Sequence, residues 1–132
     1  MIALAIATVL AVVTVPSYRD HVMRSRIPEA TSGLLLTGMR LEQYYPDHRS
    51  YANLGTAACG VTLPQPAQFS FECSVPSDGQ SFLLTAVGRS SGSMAGFGYT
   101  LDHLGTQRTT SLPNDWGNAP ANCWIEKRSA GC

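Results

Sequence analysis

The sequence predicts an α+β domain, with one long N-terminal α-helix packed on a three- to four-stranded antiparallel β-sheet and an irregular tail at the end. Three observations carry this reading. Apolar residues recur at helical spacing from Met23 to Tyr45. Short segments after Gln68 alternate apolar and polar residues with period two. Four cysteines in 132 residues point to a disulfide framework and an oxidising compartment.

The length suits one domain. Apolar residues make up 44% and charged residues 14% of the chain, against about 25% charged in an average globular domain, so composition gives no reason to expect disorder. Nine basic residues balance nine acidic ones. That neutrality argues against a surface that attracts nucleic acid everywhere.

The charges are unevenly spread. Met1 to Tyr18 carries none, and Thr8 and Thr14 are the only polar side chains up to Val15. A secretory signal peptide would start with positive charge and end at a small-residue cleavage site, whereas the first charge here is Arg19. A helix apolar on all sides needs protein or lipid around it, and a domain this small can hardly wrap one. A membrane span fits best, although it takes about 20 apolar residues. The run is therefore expected to continue upstream of Met1. Pro16 removes a backbone donor and is expected to kink or locally melt the helix. Pro28 is expected to add a second bend, with Ser25 or Arg26 in an extended or distorted turn before it.

Beyond Pro16, Met23, Ile27, Ala30, Leu34, Leu41 and Tyr45 share one helical face, and Arg24, Arg26, Glu29, Arg40 and Glu42 take other positions. Gly33 and Gly38 either weaken the helix or admit a close neighbour. A helix to about Tyr45 would be roughly 65 Å long, apolar throughout its first half and amphipathic in its second. Tyr18, Tyr44, Tyr45 and Tyr51 are expected to pack helix against sheet. Asp20 and Glu29 are expected to be solvated or to pair with arginines of a neighbouring subunit.

Asp47 to Gln68 reads as a long connection that needs a staple, and Cys59 is placed to supply one. Phe69, Phe71, Cys73 and Val75 share one face of a first strand; Pro76-Ser77-Asp78-Gly79 supplies a turn. Phe82, Leu84 and Ala86 share a face of a second strand over Ser81–Val87. Phe97 to Leu101 forms a third and Thr106 to Thr110 a short fourth. Four cysteines allow three pairings. A zinc site is disfavoured, because no C-x₂-C pair exists and the histidines lie far from the cysteines in sequence.

No catalytic constellation, phosphate loop or dinucleotide fingerprint stands out, and no cofactor is expected. His21, His48 and His103 are scattered. Trp116 and Trp124 suit a core or a subunit contact. Arg89 and Arg108 in sheet connections, with Lys127 and Arg128 in the tail, are candidates for a small basic patch facing DNA phosphates or another surface.

The stretch MIALAIATVLAVVTVPSYRDHVMRSRIPEA resembles the N-terminal helix of type IV pilins after the leader and the first few mature residues. The similarity continues through LEQYYPDHRSYAN, FSFECS, SFLLTAVG, GSMAGFGYTLDHLG and CWIEKRSAGC, and is closest to PilE-like pilins. The chain departs from the family pattern in having no acidic residue before Asp20, where family members carry a glutamate at the fifth mature position.

The resemblance implies the type IV pilin fold and two disulfides, Cys59–Cys73 and Cys123–Cys132, the second closing a C-terminal loop. It implies a hydrophobic anchor over residues 1–22 and a globular pilin domain over 23–132. That domain comprises a helix half (23–46), a connection (47–67), a sheet (68–111) and a tail (112–132). Met1, Ile2, Leu4, Ile6, Val9, Leu10, Val12, Val13 and Val15 would sit in the inner membrane before assembly and in the filament core afterwards. The implied role is structural rather than enzymatic. The leading expectation is the major subunit of a surface filament of a Gram-negative bacterium, built from identical copies by the pilus assembly machinery with minor pilins, for adhesion, motility or DNA uptake. The alternative is a minor pilin acting as a DNA-uptake receptor; a secretion-system pseudopilin ranks lower, because those usually lack the C-terminal disulfide loop.

Overall fold

The computed structural model describes residues 2–132, with side chains at Val15 and from Ser17 onward. Helix α1 spans Ile2–His48. Strands β1 (Phe69–Ser74), β2 (Leu83–Gly88), β3 (Gly98–Asp102) and β4 (Gln107–Ser111) follow. They form one antiparallel sheet in the order β1-β2-β3-β4. The expected count of three or four strands thus resolves to four, each offset by only a residue or two from its predicted span.

Of the anchor residues, Met1, Ile2, Leu4, Ile6, Val9, Leu10, Val12 and Val13 lie outside the described side chains, as does the ring of Pro16. Val15 is 52% exposed. Among the described residues, no helix is long and apolar enough to cross a membrane. The helical assignment runs without a break through Pro28, which corrects the extended turn expected before it. A proline inside a helix deletes one backbone bond, here the one to the Arg24 carbonyl. The turns around it are held by Ile27, Ala30 and Leu34, all fully buried.

The buried face of α1 is Ile27, Ala30, Leu34 and Leu41, with Met23 and Tyr45 partly covered at its ends. It meets Phe69 of β1, Leu84 and Ala86 of β2, and Tyr99 and Leu101 of β3, with Phe82 just before β2. The register explains why these residues converge. Ala86 pairs with Tyr99 and Leu84 with Leu101, so alternate residues of adjacent strands point to the same face. The two helix glycines are close-approach positions. A Cβ on Gly33 would lie 2.6 Å from Phe71 Cζ, and one on Gly38 3.1 Å from Leu101 Cδ2. Helix propensity is given up there so that the sheet can lie against the helix backbone.

The helix ends where Arg49 takes a left-handed conformation (φ 54°) and donates its N–H to the Tyr45 carbonyl at 2.7 Å. The connection then folds back on the β1–β2 turn. Tyr51 N–H donates to the Gly79 carbonyl (2.9 Å), Gly60 N–H donates to the Tyr51 carbonyl (2.9 Å), and Cys59 is bonded to Cys73 of β1. Tyr51 is buried. Its ring meets Phe82 edge-on at 4.9 Å, and its hydroxyl donates to Glu42 Oε1 at 3.0 Å. Tyr44 stacks on His48 at 3.7 Å. Tyr18 departs from the helix–sheet role expected of it: it is 70% exposed, below the level where the sheet begins.

Burial first, and then the Glu42 carboxylate, push the Tyr51 phenol up to about 12. Burial also raises Tyr99, with the charge of Glu126 adding to it. An unfolded chain loses these protons near pH ~10. Their contribution to stability is therefore fully present below pH ~10 and is lost as pH rises through about 12. Denaturation midpoints are expected to fall between pH 10 and 12, and Tyr51→Phe is expected to flatten that decline.

Candidate functional site

The tail after β4 is the most densely fastened irregular segment of the fold. Thr109 of β4, fully buried, is its hub: its hydroxyl donates to the Cys123 carbonyl (2.6 Å) and accepts from Ile125 N–H (2.9 Å). Backbone bonds in both directions join Thr109 and Ala121. Tyr99 Oη donates to the Ile125 carbonyl (2.8 Å) and Trp124 Nε1 to the Thr100 carbonyl (3.0 Å). Cys123 is bonded to Cys132, with Cα atoms 5.6 Å apart, so the loop carrying Glu126, Lys127 and Arg128 is closed at its base. Thr and Tyr hydroxyls thus supply the partners that a non-sheet backbone lacks.

Trp116 is buried, with its ring edge-to-face on Phe97 at 5.0 Å. The Arg128 guanidinium lies over the same indole, 5.1 Å from its centroid. Arg128 Nε also donates to Asp20 Oδ1 at 2.7 Å, and one of its terminal nitrogens donates to the Asp115 carbonyl at 3.0 Å. Asp20 thus has a partner in its own chain, and Arg128 is engaged on three sides while remaining 43% exposed.

The other three basic candidates sit on different parts of the fold. Arg89 follows β2 and reaches the Pro66 carbonyl at 3.4 Å. Arg108 is exposed on β4, lining a depression with Leu83, Thr100, Asp102 and Pro120. Lys127 is exposed on the tail and lines a cleft of about 340 Å³ with His21, Arg24, Ser25 and Pro28 of α1 and Glu126 of its own loop. Sequence reasoning does not bring His21 and Arg24 to Lys127. Half of the signal is present in the spacing, since residues 21, 24, 25 and 28 fall on one helical face.

A second concavity, of about 500 Å³, lies at the opposite end of the domain between residues 48–57 and the Val75–Gly79 turn. Its lining is mostly small and uncharged. Among the described residues no group of three or more His, Cys, Asp or Glu is arranged to hold a metal ion. Beyond Tyr18, the exposed large apolar side chains of α1 are Leu35, Leu36 and Met39, at 44%, 48% and 60%.

A family profile described as "Type IV minor pilin ComP, DNA uptake sequence receptor" matches residues 16–96. No curated protein is significantly similar to the chain. Among solved structures, a type IV pilin from Shewanella oneidensis superposes with a TM-score of 0.54 at 24% identity, covering 77% of this chain and 97% of that one. That likeness shows the fold.

Thr109→Val keeps the shape of the hub and removes both of its hydroxyl bonds. It is expected to cost about 2 to 3 kcal/mol of stability, measured by chemical denaturation of the oxidised chain. Cys132→Ser opens the short tail loop and is expected to cost a similar amount, about 2 to 3 kcal/mol.

Proposed function

Since the chain belongs to the family of the type IV minor pilin ComP, we propose that it is a minor pilin acting as a receptor for DNA during uptake. The profile match over residues 16–96 carries this reading. It ranks the DNA-receptor role above that of a major filament subunit. The role is structural and recognitive rather than enzymatic.

Assembly and binding divide the molecule between them. The apolar N-terminal segment holds the subunit in the inner membrane of a Gram-negative cell. After extraction by the assembly machinery, it packs among the helices of other pilins, with Pro16 permitting local melting. Burying a large aliphatic side chain away from water is worth roughly 1.5 to 3 kcal/mol, whereas leaving lipid gains much less, so the transfer needs a motor. Leu35, Leu36 and Met39 extend the apolar surface of α1 beyond its first half and suit contact with a neighbouring pilin.

DNA contact falls to exposed cations, and Arg89, Arg108 and Lys127 are the candidates. Arg108 and Lys127 lie beyond the matched residues, so their assignment rests on exposure alone. With a net charge of zero, few phosphates can be neutralised. Discrimination must then come from contacts to base edges or from DNA shape rather than from general attraction.

Fluorescence anisotropy of the full chain in detergent, against a duplex carrying a repeated uptake sequence and a scrambled control, tests this reading. The expected result is preference for the repeat. Replacing Arg108 or Lys127 by Gln should weaken binding and lower the log–log salt slope by about 0.9 for each phosphate no longer neutralised. Equal, weak binding of both duplexes would overturn the receptor role and return the chain to a filament-building part.

A further inference from the structure

We propose that the cleft between α1 and the disulfide-closed tail binds the phosphodiester of an anionic lipid headgroup while the subunit waits in the membrane. The proposal rests on the membrane-anchor reading of the N-terminal segment given above, and not on the DNA-receptor role.

The lining is assembled from two elements far apart in sequence. His21 and Arg24 come from α1, Lys127 and Glu126 from the tail. The backbone at Lys127 is kept beside α1, because the next residue, Arg128, bonds to Asp20 and to the Asp115 carbonyl and lies over Trp116. The same contact uses the negative charge of Asp20, which would otherwise stand beside His21. The formal charge of the cleft is then the sum of Arg24, Lys127 and Glu126, a net +1 with neutral His21. That matches a phosphodiester, which carries one negative charge. A free phosphate, which takes up a second negative charge around neutral pH, suits it less, because the Glu126 carboxylate opposes that second charge.

Position decides between membrane and DNA. The charge-free run ends at Tyr18, an exposed tyrosine of the sort that sits at a membrane–water boundary. His21 follows Val15 by about 9 Å along the helix and Arg24 by about 13 Å. The headgroup layer on each side of a bilayer is roughly 5 to 8 Å deep. Helical side chains tilt toward the N-terminus, and arginine and lysine reach back along apolar surface. Both features carry the cations of α1 toward that layer. Duplex DNA cannot approach the same spot while the subunit is anchored, since the bilayer lies against it.

The test uses the full chain in zwitterionic detergent, titrated separately with four probes: dihexanoyl phosphatidylglycerol, dihexanoyl phosphatidylcholine, inorganic phosphate and a 12-base-pair duplex. The His21 ring resonances provide the readout. Saturable shifts with phosphatidylglycerol and not with phosphatidylcholine are expected. Arg24→Gln and Lys127→Gln should each lower that affinity about fivefold, with the Tyr99 and Trp116 core resonances unchanged. Both side chains are exposed, and Arg24→Lys is expected to restore most of the affinity. Shifts with inorganic phosphate or duplex but not with phosphatidylglycerol would overturn the lipid assignment, as would equal response to the two lipids. Resistance of the chain to carbonate extraction from membranes reads the anchor separately, so loss of the anchor and loss of the cleft are distinguishable.

Discussion

A 47-residue helix lies against strands of five and six residues, and this mismatch of lengths governs the molecule. At 1.5 Å per residue the helix is about 70 Å long, whereas a strand of six residues spans about 20 Å. The sheet can cover only one helical face over a few turns, from Ile27 to Leu41. Everything N-terminal to that face must find its own surroundings. Leu35, Leu36 and Met39 stay exposed, Leu35 and Met39 at the margin of the sheet beside Phe82 and Leu101. A helix that a single domain cannot bury is the physical opening for the filament assembly proposed above.

The sheet is held to the helix through omissions as much as through contacts. Gly33 and Gly38 leave the helix surface bare where Phe71 and Leu101 press on it. The strands are then free to carry aromatic residues without being pushed outward. The tail completes the enclosure by a different chemistry. It has no long strand pairing to satisfy its backbone, so the hydroxyls of Thr109 and Tyr99 and the indole of Trp124 do so one bond at a time.

Much of this can be read in the sequence. Helical spacing picks out Ile27, Ala30, Leu34 and Leu41, and period two picks out Phe82, Leu84 and Ala86, because a buried face leaves a periodic trace. The residues that depart from expectation are those whose partners are remote. Asp20 and Arg128 meet across 108 residues, and no local pattern announces such a pair. Pro28 has an intrinsic preference to break the helix, but packing on both sides of it outweighs one missing hydrogen bond. Tyr18 lies outside the reach of the sheet, a matter of strand length that helix periodicity does not encode. The grouping of Lys127 with His21 and Arg24 depends on how the tail returns to α1, which the spacing of cysteines leaves open.

That return gives the molecule a mechanical shortcut. Tension carried along α1 passes at Asp20 into the tail without crossing the sheet, through one ion pair whose partners are 43% and 26% exposed. A pair so open to solvent is weak and is screened by salt. Such a link offers less resistance than the fully buried helix face of Ile27, Ala30, Leu34 and Leu41. Its parting would release the helix N-terminal to the sheet, while the tail stays held to β3 and β4 through Tyr99, Thr100 and Thr109.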